Sequence, residues 1–206
     1  MVRILGKASS INVRKVLWTC AELDIPFERE DWGSGFRSTQ EPAFLALNPN
    51  AMVPVLVDGD VVLWESNTIC RYLAARHGGR LLPASQPDRA YVEQWIDWQA
   101  TELNNAWRYA FMGLARGSGA HQDPDLIAAS VAGWNRHMDI LERQLQKTGA
   151  YVAGSTFTLA DVVLGLSANR WRMTPMERPV TPAIDAWMTR LQGRSGCREW
   201  CTNGTP

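Results

Sequence analysis

NAMVPVLVDGDVVLWES, residues 50–66, decides the fold. It carries two apolar runs, 53–57 and 61–64, around Asp58-Gly59, a dipeptide suited to the tight turn of a β-hairpin. Pro54 interrupts the first run, and proline has no N–H to give to a sheet ladder. These residues leave two readings open. One is an edge strand that tolerates the proline. The other is a cis Val53–Pro54 bond that turns the chain just before the strand and frees the Val53 N–H and C=O to pair with an extended peptide. Glu65-Ser66 ends the stretch at the junction with a helical pattern. Ser66 suits a helix cap, and the same place suits a bound carboxylate because helix N-termini offer free N–H groups.

Outward from this hairpin, the order of elements emerges. VRILG (2–6) alternates as a short strand, and 12–24 has Val13, Val16, Leu17 and Cys20 at helical spacing. PFERED (26–31) reads as a second strand, and EPAFLALNP (41–49) as a short helix stopped by Pro49. After the hairpin, Ile69, Tyr72 and Leu73 give a helix over 66–79 that ends on glycines. Strand–helix–strand implies a parallel pair and the hairpin an antiparallel one, so the sheet is expected to be mixed. GGRLLPASQPDR (78–89) breaks the pattern, and beyond it only helical periodicity remains, over 88–116, 123–148, 158–171 and 181–193. The expected class is α/β plus all-α, with a first domain over 1–79, a linker over 80–87 and a helical domain over 88–206.

In 206 residues, 46% are apolar and 20% charged, with zero formal net charge. That balance gives no basic surface for nucleic acid or anionic lipid. No run approaches the ~20 apolar residues of a membrane span, and the start lacks the apolar core of a secretory signal, so a cytoplasmic location is expected. Cys20 and Cys70 sit in apolar helical segments as core residues. Cys197 and Cys201 are four apart without flanking ligands, and His77, His121 and His137 are scattered singly, so no metal site is expected.

Three further signals carry chemistry. Thr158-Leu159-Ala160-Asp161 is a capping box ahead of an apolar run, a structural device for starting a helix. Glu65 can take a ligand ammonium; with a carboxylate at Ser66 and a backbone-reading segment at Val53, this describes an amino-acid-like or γ-glutamyl-peptide ligand, against the plainer reading of a cap and a surface acid. In ASSINVRKVLW (8–18), a serine pair opens the first helix. A hydroxyl there can donate to a thiolate, or Ser10 or Asn12 can simply cap the helix. One hydrogen bond to a charged acceptor, worth about 1.5–3 kcal/mol, lowers a thiol pKa by roughly one to two units.

Together SSINVRKV (9–16), NPNAMVPVL (48–56), ESNTICRYL (65–73) and GSTFTLAD (154–161) resemble the cytosolic glutathione transferases of the serine type, theta- and beta-like classes of bacteria included. The resemblance implies a thioredoxin-like first domain, a helical second domain, a homodimer, and glutathione as co-substrate with no permanently bound cofactor. It assigns thiolate stabilisation to Ser10, with Ser9 as the rival, and glutathione contacts to Asn12, Thr39, Met52, Val53, Glu65 and Ser66, with Pro54 as the cis-proline. Met52 stands where the family often has Lys or Gln, so the glycine carboxylate falls to Thr39 or the backbone. No tyrosine precedes the first helix and no cysteine lies near residue 10, which argues against the tyrosine and thiol–disulfide types. For the hydrophobic electrophile, Ile11, Trp107, Tyr109, Met112 and Trp171 are the expected wall. Conjugation is the leading expectation; a glutathione-dependent peroxidase or isomerase, and a non-catalytic glutathione-binding protein, are the alternatives.

Overall fold

The computed structural model describes residues 1–79 and 81–206. In its first half, β1 (Val2–Leu5) leads through α1 (Ile11–Glu22) to β2 (Phe27–Glu30). Then α2 (Pro42–Leu45) precedes the hairpin of β3 (Val55–Asp58) and β4 (Val61–Trp64), and α3 (Ser66–Arg76) closes the half. The strand order is β2-β1-β3-β4. β1 runs parallel to β2, with Val2 opposite Phe27, and antiparallel to β3, with Ile4 opposite Leu56. The mixed sheet expected from the sequence is therefore present. The hairpin loop is shifted by one residue from expectation: Asp58 still pairs with Val61, so the loop is Gly59-Asp60, with Gly59 at φ 61°.

Side-chain alternation along β1 serves both faces of the sheet. Ile4 joins the large core made with α1 and α3 through Val13, Val16, Leu17, Ile69 and Leu73. Leu5 faces the other way, into a small cluster with Trp32, Phe44 and Val55.

The second half is helical. The pattern over 88–116 does not form one regular helix: α4 (Gln86–Trp98) passes through a π-helical turn at Gln99–Leu103 into α5 (Asn104–Leu114). Such a turn widens the helix locally and leaves ordinary periodicity on either side. α6 (Pro124–Thr148) starts on the Asp123 carboxylate, which accepts from the N–H groups of Asp125 and Leu126, and stops at Gly149, φ 70°. α7 (Leu159–Met173), α8 (Pro182–Gln192) and α9 (Ser195–Trp200) follow, and α9 is an element the sequence pattern did not announce.

The Thr158–Asp161 capping box starts α7 as read. The Asp161 carboxylate does more: besides the Thr158 N–H at 2.8 Å it accepts from the Val152 N–H and Trp187 Nε1, each at 2.9 Å. One buried acid thus fixes the start of α7 to the preceding loop and to α8. Burial pushes its pKa up to about 6 against the pull of these donors.

The four cysteines are free and buried, and burial pushes the Cys20 thiol up to about 12 and that of Cys70 to about 11. Among the described residues no group of three or more His, Cys, Asp or Glu is placed to hold a metal, and no helix is long and apolar enough to cross a membrane.

Candidate active site

A cleft of about 320 Å³ opens where the starts of α1 and α3 meet the turn before β3, lined by Asn12, Val53, Pro54, Glu65 and Ser66 together with Asn48, Asn50 and Met52. The Val53–Pro54 bond is cis. Val53 lies outside the ladder, which begins at Val55, and neither its N–H nor its C=O has a partner among the described residues. Buried Asn48 holds this presentation: its Nδ2 donates to the Met52 carbonyl at 2.8 Å, and its Oδ1 accepts from the Asn50 N–H and side chain at 3.0 Å. The loop closes on itself, and the unpaired backbone of Val53 faces the cleft.

Glu65 sits at φ 70°, a conformation uncommon for a residue with a side chain and one that recurs at ligand clamps. Its carboxylate is exposed. Glu65, not Ser66, is the cap residue of α3; Ser66 is the first helical residue, buried beside the free N–H groups of that terminus.

Ser10 is the cap residue of α1 with an extended backbone, φ −79° and ψ 125°, yet its side chain makes no capping hydrogen bond, and neither does that of Asn12. Its hydroxyl has no partner among the described residues. Ser10 is not itself a cleft wall; it stands at the helix mouth, two residues before Asn12, which is. Thr39 is absent from the lining, and Met52 lies there 64% exposed with its thioether offering no charge.

The expected electrophile wall does not form one surface. Ile11 and Trp171 are buried in the main core, 9% and 2% exposed, and Trp171 Nε1 donates to Asn135 at 2.9 Å. Tyr109 packs against His121, centroids 4.9 Å apart with the ring planes tilted by 59°, two residues and half a turn away from the Trp107 face. Only Trp107 and Met112 remain partly open against the core, and Trp107 packs on Phe111 and Trp134.

A polar chain missed by the sequence reading ties the cleft to the helical half. Buried Lys15 donates to Asn67 Oδ1 at 3.1 Å and to Gln99 Oε1 at 2.9 Å. Gln99, in the π turn, donates to Asn104 Oδ1 at 2.8 Å, which also accepts from Trp107 Nε1 at 2.9 Å. Desolvation lowers the Lys15 pKa to about 8, although nearby Glu65 favours its charge. The available signal was Lys15 itself, a lysine on the apolar face of α1 that needs a partner when enclosed.

Residues 9–76 match the family model of the glutathione S-transferase N-terminal domain, and 124–203 that of the C-terminal domain. The chain belongs to the glutathione S-transferase family. Glutathione S-transferase GstB of Escherichia coli strain K12 is 34% identical over 202 residues, 97% of each chain. Glutathione S-transferase 3 of Zea mays is 31% identical, covering 94% of this chain and 90% of that one. The crystal structure of a theta class glutathione S-transferase from Xanthomonas axonopodis pv. citri, with glutathione bound, superposes with a TM-score of 0.91 at 35% identity, covering 97% of this chain and 96% of that one. The sheet-containing half of this glutathione S-transferase is accordingly the family's thioredoxin-like domain, and α4 onward is its helical domain.

Proposed function

We propose that this glutathione S-transferase binds glutathione along the Val53–Ser66 side of the cleft and conjugates its sulfur to a hydrophobic electrophile, with Ser10 stabilising the thiolate. The observation that carries the reading is the Ser10 hydroxyl at the mouth of α1, free of any capping bond and beside the cleft. The unpaired Val53 backbone suits the cysteinyl unit, and Glu65 with the α3 N-terminus suits the ammonium and carboxylate of the γ-glutamyl end. With Thr39 outside the lining and Met52 uncharged, the Asn50 amide is the polar group left near the glycine end.

The chemistry needs no metal. The glutathione thiol gives its proton to solvent, the serine hydroxyl donates a hydrogen bond to the thiolate, the thiolate attacks the electrophilic carbon, and the leaving group departs with its electron pair; the protein supplies proximity and charge stabilisation. Turnover of glutathione with 1-chloro-2,4-dinitrobenzene tests the reading. Ser10→Ala is expected to lower kcat/KM at pH 7 by roughly 10- to 100-fold and to raise the pH midpoint of the rate by about one to two units. Equal rates and an unmoved midpoint remove Ser10 from the mechanism.

We further infer a homodimer, because Val61, Val62 and Trp64 on β4 and Tyr91 on α4 leave large apolar groups exposed. Light scattering that returns the monomer mass overturns it.

A further inference from the structure

Three arginines gather around α1, α5 and α7, and among the described residues neither of the buried two, Arg14 and Arg170, pairs with an Asp or Glu side chain. Arg170 on α7 is 4% exposed; its Nε has no partner, and its guanidinium makes no hydrogen bond or ion pair among the described residues. It lies instead over two rings, 4.6 Å from the Trp107 centroid and 4.1 Å from that of Phe111. Arg116, exposed, lies over the same Phe111 ring at 5.2 Å. Arg14, fully buried on α1, donates to the main-chain oxygens of Thr205 and of Pro206, the last residue of the sequence, at 2.8 and 2.6 Å, and its Nε is also unpartnered. The two rings soften the Arg170 charge but do not neutralise it, and an unpaired buried charge is costly.

Burial, and then repulsion from Arg14 and Arg116, lowers the Arg170 pKa to about 9. Burial is also the main cause that lowers Arg14 to about 10, with repulsion from Arg116 adding to it and Cys201 opposing. Both buried arginines remain charged at neutral pH. Trp107 belongs to the helix expected to face the electrophile, and Arg14 follows Ser10 by one helical turn, its N–H bonded to the Ser10 carbonyl at 2.9 Å.

We propose that Arg170, backed by Arg14 and approached past Arg116, forms an anion subsite for the second substrate, so that the favoured electrophile carries a carboxylate. The proposal rests on the reading of Ser10 as the thiolate's partner. A planar guanidinium grips a carboxylate through two parallel N–H···O bonds, fixing orientation as well as charge. An aromatic halide held this way keeps its ring beside Trp107 and turns its halogen-bearing carbon toward the sulfur at Ser10. The thiolate forms the C–S bond, and the C–halogen bond breaks with its pair leaving as halide. The arginines take no part in bond making; they position the acceptor.

Tryptophan-fluorescence titration without glutathione tests the subsite directly, using 4-nitrobenzoate and its neutral twin 4-nitrobenzamide. The wild type is expected to bind the acid at least about tenfold more tightly, one good charge-assisted pair. Arg170→Gln is expected to bring the two within about threefold, and Arg170→Lys to restore part of the difference. Equal binding of acid and amide by the wild type, or binding of neither, overturns the proposal even if the Arg170 variants do not fold. Turnover then compares 4-chloro-3-nitrobenzoate with 4-chloro-3-nitrobenzamide, and the acid-to-amide ratio of kcat/KM must fall in Arg170→Gln. A variant that keeps this ratio but raises the pH midpoint for thiolate formation overturns it too, since the cations would then serve the glutathione sulfur. Failure to turn over 1-chloro-2,4-dinitrobenzene, with the acid preference in binding intact, removes the conjugation reading and leaves the anion site standing.

Discussion

Lys15 shows how a single enclosed side chain links the cleft to the rest of the molecule. Its two amide acceptors, on Asn67 and Gln99, satisfy hydrogen bonds without supplying charge, so the ammonium is held with its desolvation cost largely unrelieved. The consequence for stability has a definite sign. Native Lys15 titrates near 8 and the unfolded residue near 10.5, so below pH 8 both states carry the proton and the full cost is present. Between these values the native state sheds its proton first and the cost is relieved, so this residue makes stability rise with pH. Urea unfolding at pH 7, 9 and 10.5 for wild type and Lys15→Met measures it. The wild type should gain on the order of 3 kcal/mol relative to the variant over that range. The unpaired amide oxygens left by methionine contribute equally at each pH and cancel, so a flat difference would mean that Lys15 is not desolvated. Asp161 is the anionic counterpart. Asp161→Ala strands the Val152 and Thr158 N–H groups and Trp187 Nε1, and a loss of about 3–5 kcal/mol in denaturant unfolding is expected.

Where elements meet, glycine decides how closely they can approach. Trp18 of α1 is fully buried, and α9 crosses it at Gly196, where an added Cβ would lie 2.6 Å from Trp18 Cδ1 and 3.2 Å from the Ala21 Cβ. Alanine favours a helix over glycine by about 1 kcal/mol, but overpacking against an enclosed indole costs about 1–3. Gly196→Ala should therefore destabilise, by about 1–2 kcal/mol in urea unfolding, whereas Gly119→Ala, with nothing within 4 Å, should be neutral. A Gly196→Ala protein as stable as wild type would show that α9 is not seated on α1. The same contact explains why α9 was illegible. SGCREW is too short to be helical alone and carries a glycine, and its helix exists because Cys197 and the following Cys201 bury against the rest of the core. The longer helices and the hairpin were legible because their periodicity repeats over several turns or around a turn dipeptide. The π turn was not, since one extra residue leaves intact patterns on both sides. Val53, Pro54, Glu65 and Ser66, which line the cleft together, were legible as a group because backbone chemistry marks them. The electrophile wall was not, because an aromatic residue on a helix does not reveal which face its ring turns to, as Trp107 and Tyr109 show.

At the scale of the whole molecule, the two halves share one interior. The main core runs without a break from Ile4 and Leu56 in the sheet through Trp18 to Trp134, Leu164 and Leu191 in the helical half. Polar ties reinforce it: Arg194, ahead of α9, donates to Glu22 at the end of α1 at 2.6 Å, and Lys15 bridges α3 and the π turn. Independent domains usually meet through small, polar interfaces and move relative to one another. A core continuous across the junction predicts the opposite: a cleft of fixed geometry and a single cooperative unfolding transition. Native-state hydrogen exchange in rising urea can follow peptides from β3–β4 and from the middle of α6 within the intact chain. Both should converge on the same opening free energy and the same dependence on denaturant, while the exposed loop at 33–40 exchanges early. If the hairpin peptides open well below α6, the first half unfolds as its own unit, and the shared core does not couple the halves. The cleft depends on this coupling, since Ser10 and Lys15 are carried by the helix that α3, α7 and α9 hold in place.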